Sequence, residues 1–308
     1  MSGGPVRIAT RASDLALWQA RYVQRELRRF GRDAELVEVT TRGDASAAPI
    51  AELGVGVFVK AVQDAVLEGR ADVAVHSFKD LPGAPTPGLE IAAVPPRGPV
   101  HDVLLVAPHA HDRAAGPLAL AEGATVGTGA VRRTHQLAAV RPDVTTVPLR
   151  GNVPTRVGKA TSREVDAVLL AAAGLDRLAL DVGDLVRVDL DPDTLVPAPA
   201  QGALALEIRR GDPLGDALAD LHDVPGFPPV AAERALLSLL DAGCQLPFGA
   251  HAVRDGTDVA LAAWFEGTRV DVREGGPEAA ARAAFDALGA PVRDANGAPV
   301  DGPAGGRA

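Results

Sequence analysis

The stretch Ala71-Asp72-Val73-Ala74-Val75-His76-Ser77-Phe78-Lys79-Asp80 decides the fold. Its first half is a short apolar run of the kind found in strands buried on both faces. Its second half turns abruptly polar, which places chemistry at the strand's C-terminal end. Upstream, a helix from about Phe58 to Glu68 follows a Gly-rich turn, Leu53-Gly54-Val55-Gly56. Before that come a strand over Leu36 to Thr40, ending in Thr41-Arg42-Gly43-Asp44, and a strand over Val6 to Ala9. Between those two, Ser13 is placed to cap a helix with Leu15, Trp18, Tyr22 and Val23 near one face, continued by Leu27 and Phe30. Downstream, Ile91 to Val94 reads as a further buried strand. Strand, helix, strand in this rhythm gives a parallel or mixed α/β sheet with function at the strand ends.

Pro95-Pro96-Arg97-Gly98-Pro99 then reads as a crossing, after which the pattern returns. Strands are expected at Val103 to Val106, Ala124 to Val126, Val144 to Leu149 and Val165 to Leu170, with helices carrying Arg132-Arg133 and running from Pro154 to Lys159. Two α/β lobes with a cleft between them follow. Gln201-Gly202 precedes a strand, Ala203 to Ile208, that is placed to return to the first lobe. A third, smaller α+β unit holds a helix over 231–241, a loop with the single cysteine, two strands near Val259 to Phe265 and Arg269 to Val272, and a helix over Glu278 to Leu288. The expected division is 1–98 with 202–219, 99–201, and 220–290. Residues 291–308, rich in Gly, Pro, Ala and Asp, read as a disordered tail.

Composition narrows the function. With 308 residues and 47 % apolar content there is core enough for two or three domains. A formal charge of −9 argues against a general nucleic-acid binder. One cysteine excludes a disulfide framework, and the seven histidines lack zinc-site spacing, so no metal is expected. No apolar run approaches the ~18–20 residues of a membrane span, and Met1 to Ile8 has no signal-peptide core. A soluble, cytoplasmic protein is expected. Lysine is scarce, only Lys60, Lys79 and Lys159 among 31 basic residues, so each position carries some information.

Five strand ends carry polar clusters: Arg11 with Ser13; His76, Ser77, Lys79 and Asp80; Thr128 with Arg132 and Arg133; Arg150 with Arg156; and Gln201. If these ends share one cleft, cations line a groove in an acidic protein, aided by helix N-termini. Arginine suits bidentate carboxylate contacts, so the derived ligand is a polyanion larger than one carboxylate. Singly, each has a plainer reading: Arg132-Arg133 as solvated charge, His76 as a packed histidine, Ser77 to Asp80 as a capped turn. The loop Ala242-Gly243-Cys244-Gln245-Leu246-Pro247 leaves its thiol open to three roles: buried apolar residue, nucleophile or attachment point.

At this point the chain resembles the porphobilinogen deaminases (hydroxymethylbilane synthases) in collinear order over almost its whole length. The shared words include Arg7-Ile8-Ala9-Thr10-Arg11-Ala12-Ser13, Leu15 to Ala20, Thr41-Arg42-Gly43-Asp44, and Phe58-Val59-Lys60. They continue with Ala74 to Pro82, Gly127-Thr128 with Arg132-Arg133, Leu149 to Val153 with Thr155-Arg156, and Ala172 to Leu175. Pro197-Ala198-Pro199, Gln201-Gly202-Ala203, Ala232-Glu233-Arg234 and Gly243 to Pro247 complete them. The resemblance implies two lobes like type II periplasmic binding proteins plus a C-terminal domain carrying the cofactor cysteine. It implies a transferase of porphyrin biosynthesis, monomeric by family habit, that joins four porphobilinogens head to tail with loss of ammonia and hydrolyses the chain to hydroxymethylbilane, which uroporphyrinogen III synthase then receives. The implied primer is a dipyrromethane cofactor thioether-linked to Cys244.

The same resemblance gives Asp80 the catalytic role, holding pyrrole N–H groups and the azafulvenium cation formed as ammonia leaves. It gives Lys79, Arg132, Arg133 and Arg156 the cofactor carboxylates, with Ser77 and Thr128 as further cofactor contacts. Arg11, Arg150 and Arg177 fall to substrate, with Ser13, Gln19 and Gln201 as lesser substrate contacts. This chain departs from the family at Gly129-Ala130, where many members carry two serines, and at Leu53 to Gly56, one residue short and without a lysine. It also departs at Ala242, at His101 and at Ala200, where Gly, Arg and Gly are usual. The competing reading is a non-enzymatic bilobal module for a small organic anion, which leaves the third domain and the loop thiol unexplained.

Overall fold

The computed structural model describes residues 4–39, 57–240 and 246–289. The words Thr41 to Asp44, the turn Leu53 to Gly56, Cys244 and the tail 291–308 lie outside the described residues.

The first sheet contains β1 (Val6–Thr10), β2 (Ala34–Glu38), β3 (Val73–Ser77), β4 (Leu89–Ala93) and β10 (Leu204–Arg209), in the order β2-β1-β3-β10-β4. The second contains β5 (Asp102–Val106), β6 (Thr125–Thr128), β7 (Thr145–Pro148), β8 (Ala167–Ala171) and β9 (Val186–Asp189), in the order β7-β6-β8-β5-β9. The two orders are equivalent position for position. In each, four strands run parallel to one another, and the fourth place in the order is taken by an antiparallel strand that has just arrived from the other lobe: β10 against β3 and β4, β5 against β8 and β9. The 203–208 segment thus lies in the first sheet, between β3 and β4.

Helices cover both faces. In the first lobe α1 (Asp14–Arg29) buries Ala20, Val23 and Leu27 against Ile8, Val73 and Val75, while α2 (Val57–Leu67) buries Val62, Ala65 and Val66 against Ala9 and Ala74. The alternation of β3 between these two cores is the two-residue period of a strand. The buried stripe of α1 differs from the expected one. Phe30, at the helix C-cap, is 50 % exposed, and Trp18 and Tyr22 are half-buried and stack on each other at 5.8 Å. In the second lobe α3 (Val131–Val140), α4 (Val153–Thr161) and α5 (Ala172–Leu178) flank the sheet.

After the short α6 (Leu214–Leu218), the third unit packs α7 (Phe227–Leu239) and α8 (Pro277–Leu288) against a meander of β11 (Phe248–Asp255), β12 (Asp258–Phe265) and β13 (Thr268–Glu274). Two strands escaped the sequence reading. β9 is polar at alternate positions, and β11 opens with Phe248-Gly249 directly after a proline. A further apolar cluster, with Phe78, Leu81, Val94, Ala200, Ala203 and Val230, joins the first lobe and the crossing segments to α7. No helix among the described residues is long and apolar enough to cross a membrane.

Candidate active site

The two crossing segments, Pro95 to Val100 and Pro197 to Gly202, run against each other. Gly98 N–H donates to Gly202 O at 3.1 Å, and a Cβ on Gly202 would stand 2.6 Å from both Gly98 O and Pro99 O. Gly202 also has φ +86°, so only glycine fits this contact without strain. The closeness brings the end of β3 and the start of β10 beside the start of β5.

Asp102, the first residue of β5, is fully buried there. Its two oxygens accept from Arg132 Nη2 and Arg133 Nη2, each at 2.7 Å, and Oδ1 also accepts from Gln201 Nε2 at 2.8 Å. Burial alone would raise the Asp102 pKa; the two guanidiniums reverse this and hold it well below the carboxylate range. Arg132 further donates to Val196 O at 2.7 Å and Arg133 to Leu169 O at 3.1 Å. Arg133 Nε is buried with no hydrogen-bond partner among the described residues. Both arginines are therefore held deep in the protein, not solvated on the helix surface.

Lys79 lies on the single 3-10 turn Phe78–Asp80 that ends β3 and reaches across to Gln201 Oε1 at 3.4 Å. Burial of its ammonium, then the repulsion of Arg133 and Arg132, outweighs the attraction of Asp80 and Asp102 and lowers its pKa to about 8. Arg156, in α4, donates Nε–H to Gly151 O at 2.9 Å; burial and the neighbouring Arg133 lower its pKa, with Asp80 opposing. Four cations thus share one neighbourhood with two carboxylates, and one carboxylate is wholly engaged by two of the arginines. Asp80 is exposed and makes no side-chain hydrogen bond or ion pair with another described residue.

The remaining expected residues fall into place around this group. Gln19 Nε2 donates to Ser77 Oγ at 2.8 Å, linking α1 to the end of β3. Thr128 is buried at the end of β6, where Oγ1 accepts from Ala130 N–H at 3.3 Å. Arg177 Nη2 donates to Gly202 O at 2.6 Å and packs over Trp18 at 5.5 Å. Arg11 is half-buried just past β1, and Arg150 is exposed past β7. Ser13 stands at the N-cap of α1, but its hydroxyl makes no capping bond.

Three expectations need correction. Strand alternation turns His76 away from Ser77 and onto Glu207 Oε2 at 3.1 Å, beneath α2, so it does not line the groove. Gln201 is fully buried, with both amide hydrogens used on Val100 O and Asp102, so it has none to offer a substrate. Of the three lysines only Lys79 joins the cluster, since Lys60 pairs with Asp64 and Lys159 with Glu164 at the surface.

The sequence reading also missed the residues that hold the site together. Asp102 was overlooked because an Asp opening a strand gives no sign of burial. Arg97 forks onto Glu233 at 2.9 and 2.8 Å and donates Nε–H to Gln201 O at 2.8 Å. Arg234 caps the 78–80 turn through Leu81 O at 2.9 Å and Pro82 O, with its guanidinium over Phe78. Ala232-Glu233-Arg234 among the shared words and the proline and glycine punctuation around both crossings were the available signals.

A buried guanidinium with a spare N–H, beside an ammonium whose charge is disfavoured, is suited to hold an anion. The carboxylates of a dipyrromethane fit it. Residues 6–215 match the family model described as porphobilinogen deaminase, dipyromethane cofactor binding domain, and residues 228–272 match porphobilinogen deaminase, C-terminal domain. A porphobilinogen deaminase from Corynebacterium efficiens is 48 % identical over 82 % of this chain and 82 % of its own. One from Nocardia farcinica is 47 % identical over 82 % of this chain and 71 % of its own. Among solved structures, an ancestral cationic amino acid solute binding protein aligns with TM-score 0.44 and 16 % identity over 71 % of this chain and 88 % of that one. With a matching model over most of its length and relatives at this identity, the chain belongs to the porphobilinogen deaminase family.

Proposed function

We propose that this chain is the transferase that joins four porphobilinogens head to tail, releasing ammonia at each step, and then frees hydroxymethylbilane by hydrolysis. The observation that carries this reading is the Asp102-centred cationic cluster with the orphaned Arg133 Nε, in a chain whose family model is named for the dipyrromethane cofactor. Cys244 is the expected thioether attachment point, and the bound dipyrromethane supplies the nucleophilic pyrrole carbon that primes the chain.

Arg132, Arg133, Lys79 and Arg156 hold carboxylates, with the Arg133 Nε–H as a donor that has no acceptor among the described residues. Thr128 and Ser77 support this set, while Arg11, Arg150 and Arg177, with Ser13 and Gln19, take the incoming substrate. Each coupling breaks a C–N bond, releases ammonia and leaves positive charge on the substrate pyrrole. A new C–C bond then forms to the carbon that lost ammonia, and the attacking pyrrole carbon of the chain gives up its proton. The Asp80 carboxylate, unpaired among the described residues, accepts from pyrrole N–H groups and lies where that charge develops. The division into 1–98 with 202–219, 99–201 and 220–290 is supported by the three sheets and their cores. A monomer working in the cytoplasm, passing its product to uroporphyrinogen III synthase, completes the proposal.

The test is the intact mass of the full chain, first isolated from cells unable to make porphobilinogen and then incubated with it. The expected gain is two pyrrole units, each less ammonia, with none on Cys244→Ser; continued release of ammonia should follow only in the loaded protein. A wild-type mass that never rises, or a Cys244→Ser variant that turns over normally, would overturn the reading.

A further inference from the structure

Arg132 and Arg133 are consecutive on α3, so helix geometry sends their side chains about 100° apart. Yet their Nη2 atoms converge on the two oxygens of one carboxylate, each at 2.7 Å. That carboxylate belongs to the strand entering the second lobe, is fully buried, and is itself steadied by Gln201 Nε2 at 2.8 Å. Gln201 in turn accepts from Lys79 Nζ at 3.4 Å, across the crossing segments. With one negative charge between two guanidiniums, the group stays net positive while its geometry is fixed.

Resting on the function proposed above, we infer that Asp102 is a positioning residue: it clasps Arg132 and Arg133 side by side, and through Gln201 keeps them in register with Lys79, before any anion arrives. Two opposed effects make this testable. Removing a negative charge beside an anion site, with the arginines unmoved, strengthens anion binding. Releasing the clasp lets like charges separate and weakens it. Asp102→Asn has one acceptor where two donors converge, and its amide hydrogens face a guanidinium.

The experiment loads full-length apo chains with porphobilinogen and follows intact mass with time. Asp102→Asn is expected to load at least about tenfold more slowly than wild type, while Asp255→Asn, which breaks an exposed pair with Arg273 in the third unit, loads at the wild-type rate. A second readout follows the Lys79 ε-group by NMR: without the attraction of Asp102 its titration midpoint drops below about 8. Loading of Asp102→Asn at or above the wild-type rate sinks the inference and leaves the function standing; failure of wild type to load sinks the function itself. Should Asp102→Asn not fold, arginine 15N spectra of the wild-type apo chain, assigned through Arg132→Lys and Arg133→Lys, replace it. Immobilised guanidinium signals before loading support the clasp, and freely rotating ones overturn it.

Discussion

At Gly129-Ala130 the family's usual pair of serines is absent, and the two positions are not alike. Ala130 is the N-cap of α3, in extended conformation, with no side chain to receive the helix's free N–H groups. Serine there supplies an acceptor worth about 1 kcal/mol. A Cβ on Gly129, in contrast, would stand 2.6 Å from Leu149 O, a carbonyl in a segment held by the Leu149 N–H bond to Thr128 O at 3.0 Å. Any side chain there must push two paired strands apart, at roughly 1–3 kcal/mol. Chemical denaturation should therefore show Ala130→Ser stabilised and Gly129→Ser destabilised; a Gly129→Ser protein as stable as wild type would contradict this geometry. Ala200 is a departure of another kind. It sits at φ +59°, fully buried in the joint with α7, so methyl packing offsets part of the strain of a left-handed residue.

Among the elements, those with unbroken apolar runs were legible: β3, β5, β8 and β10 each lie within a residue or two of their expected spans, since burial on both faces leaves no other reading. The partners of single polar residues were not legible, because they join positions far apart in sequence. α7 illustrates this. Its sequence marks a helix and a shared Ala232-Glu233-Arg234 word without saying what they bind, but Glu233, fully buried, accepts from Arg97, from Ala200 N–H at 2.6 Å and from Ala252 N–H at 2.8 Å. One side chain therefore ties both crossings and β11 together. Glu233→Gln leaves Arg97 buried without a counter-charge, and removing one partner of such a pair costs about 3–5 kcal/mol. Breaking the exposed Arg187–Asp176 pair by Asp176→Asn costs about 1 kcal/mol or less. The comparison is read from urea midpoints at constant slope. Equal losses would mean that α7 is not anchored through Glu233.

For the molecule as a whole, an acidic chain of net charge −9 keeps its surplus of positive charge where the two lobes meet. Lys79 links that surplus to both stability and binding. The charged groups acting on it are Asp80 and Asp102, which favour its charge, and Arg132 and Arg133, which oppose it along with burial. Its pKa is about 8 in the folded apo protein and, from the ordinary value, 10.5 unfolded. Between these values the unfolded chain binds more protons, so this group makes stability rise with pH across that window. Below about pH 8 the folded state carries the full cost of the buried ammonium. A bound carboxylate works the other way: it restores the charge, raises the Lys79 pKa and draws in a proton, so anion affinity falls as pH rises past about 8. Only three lysines are present, so selectively labelled lysine ε-groups give three NMR signals. One is expected to titrate near 8 in the apo chain and to move toward 10.5 on loading. The other two belong to surface ion pairs and should not respond to loading. If the Lys79 midpoint is the same before and after loading, its ammonium is not part of the anion site, and the cluster at the crossings has a structural role alone.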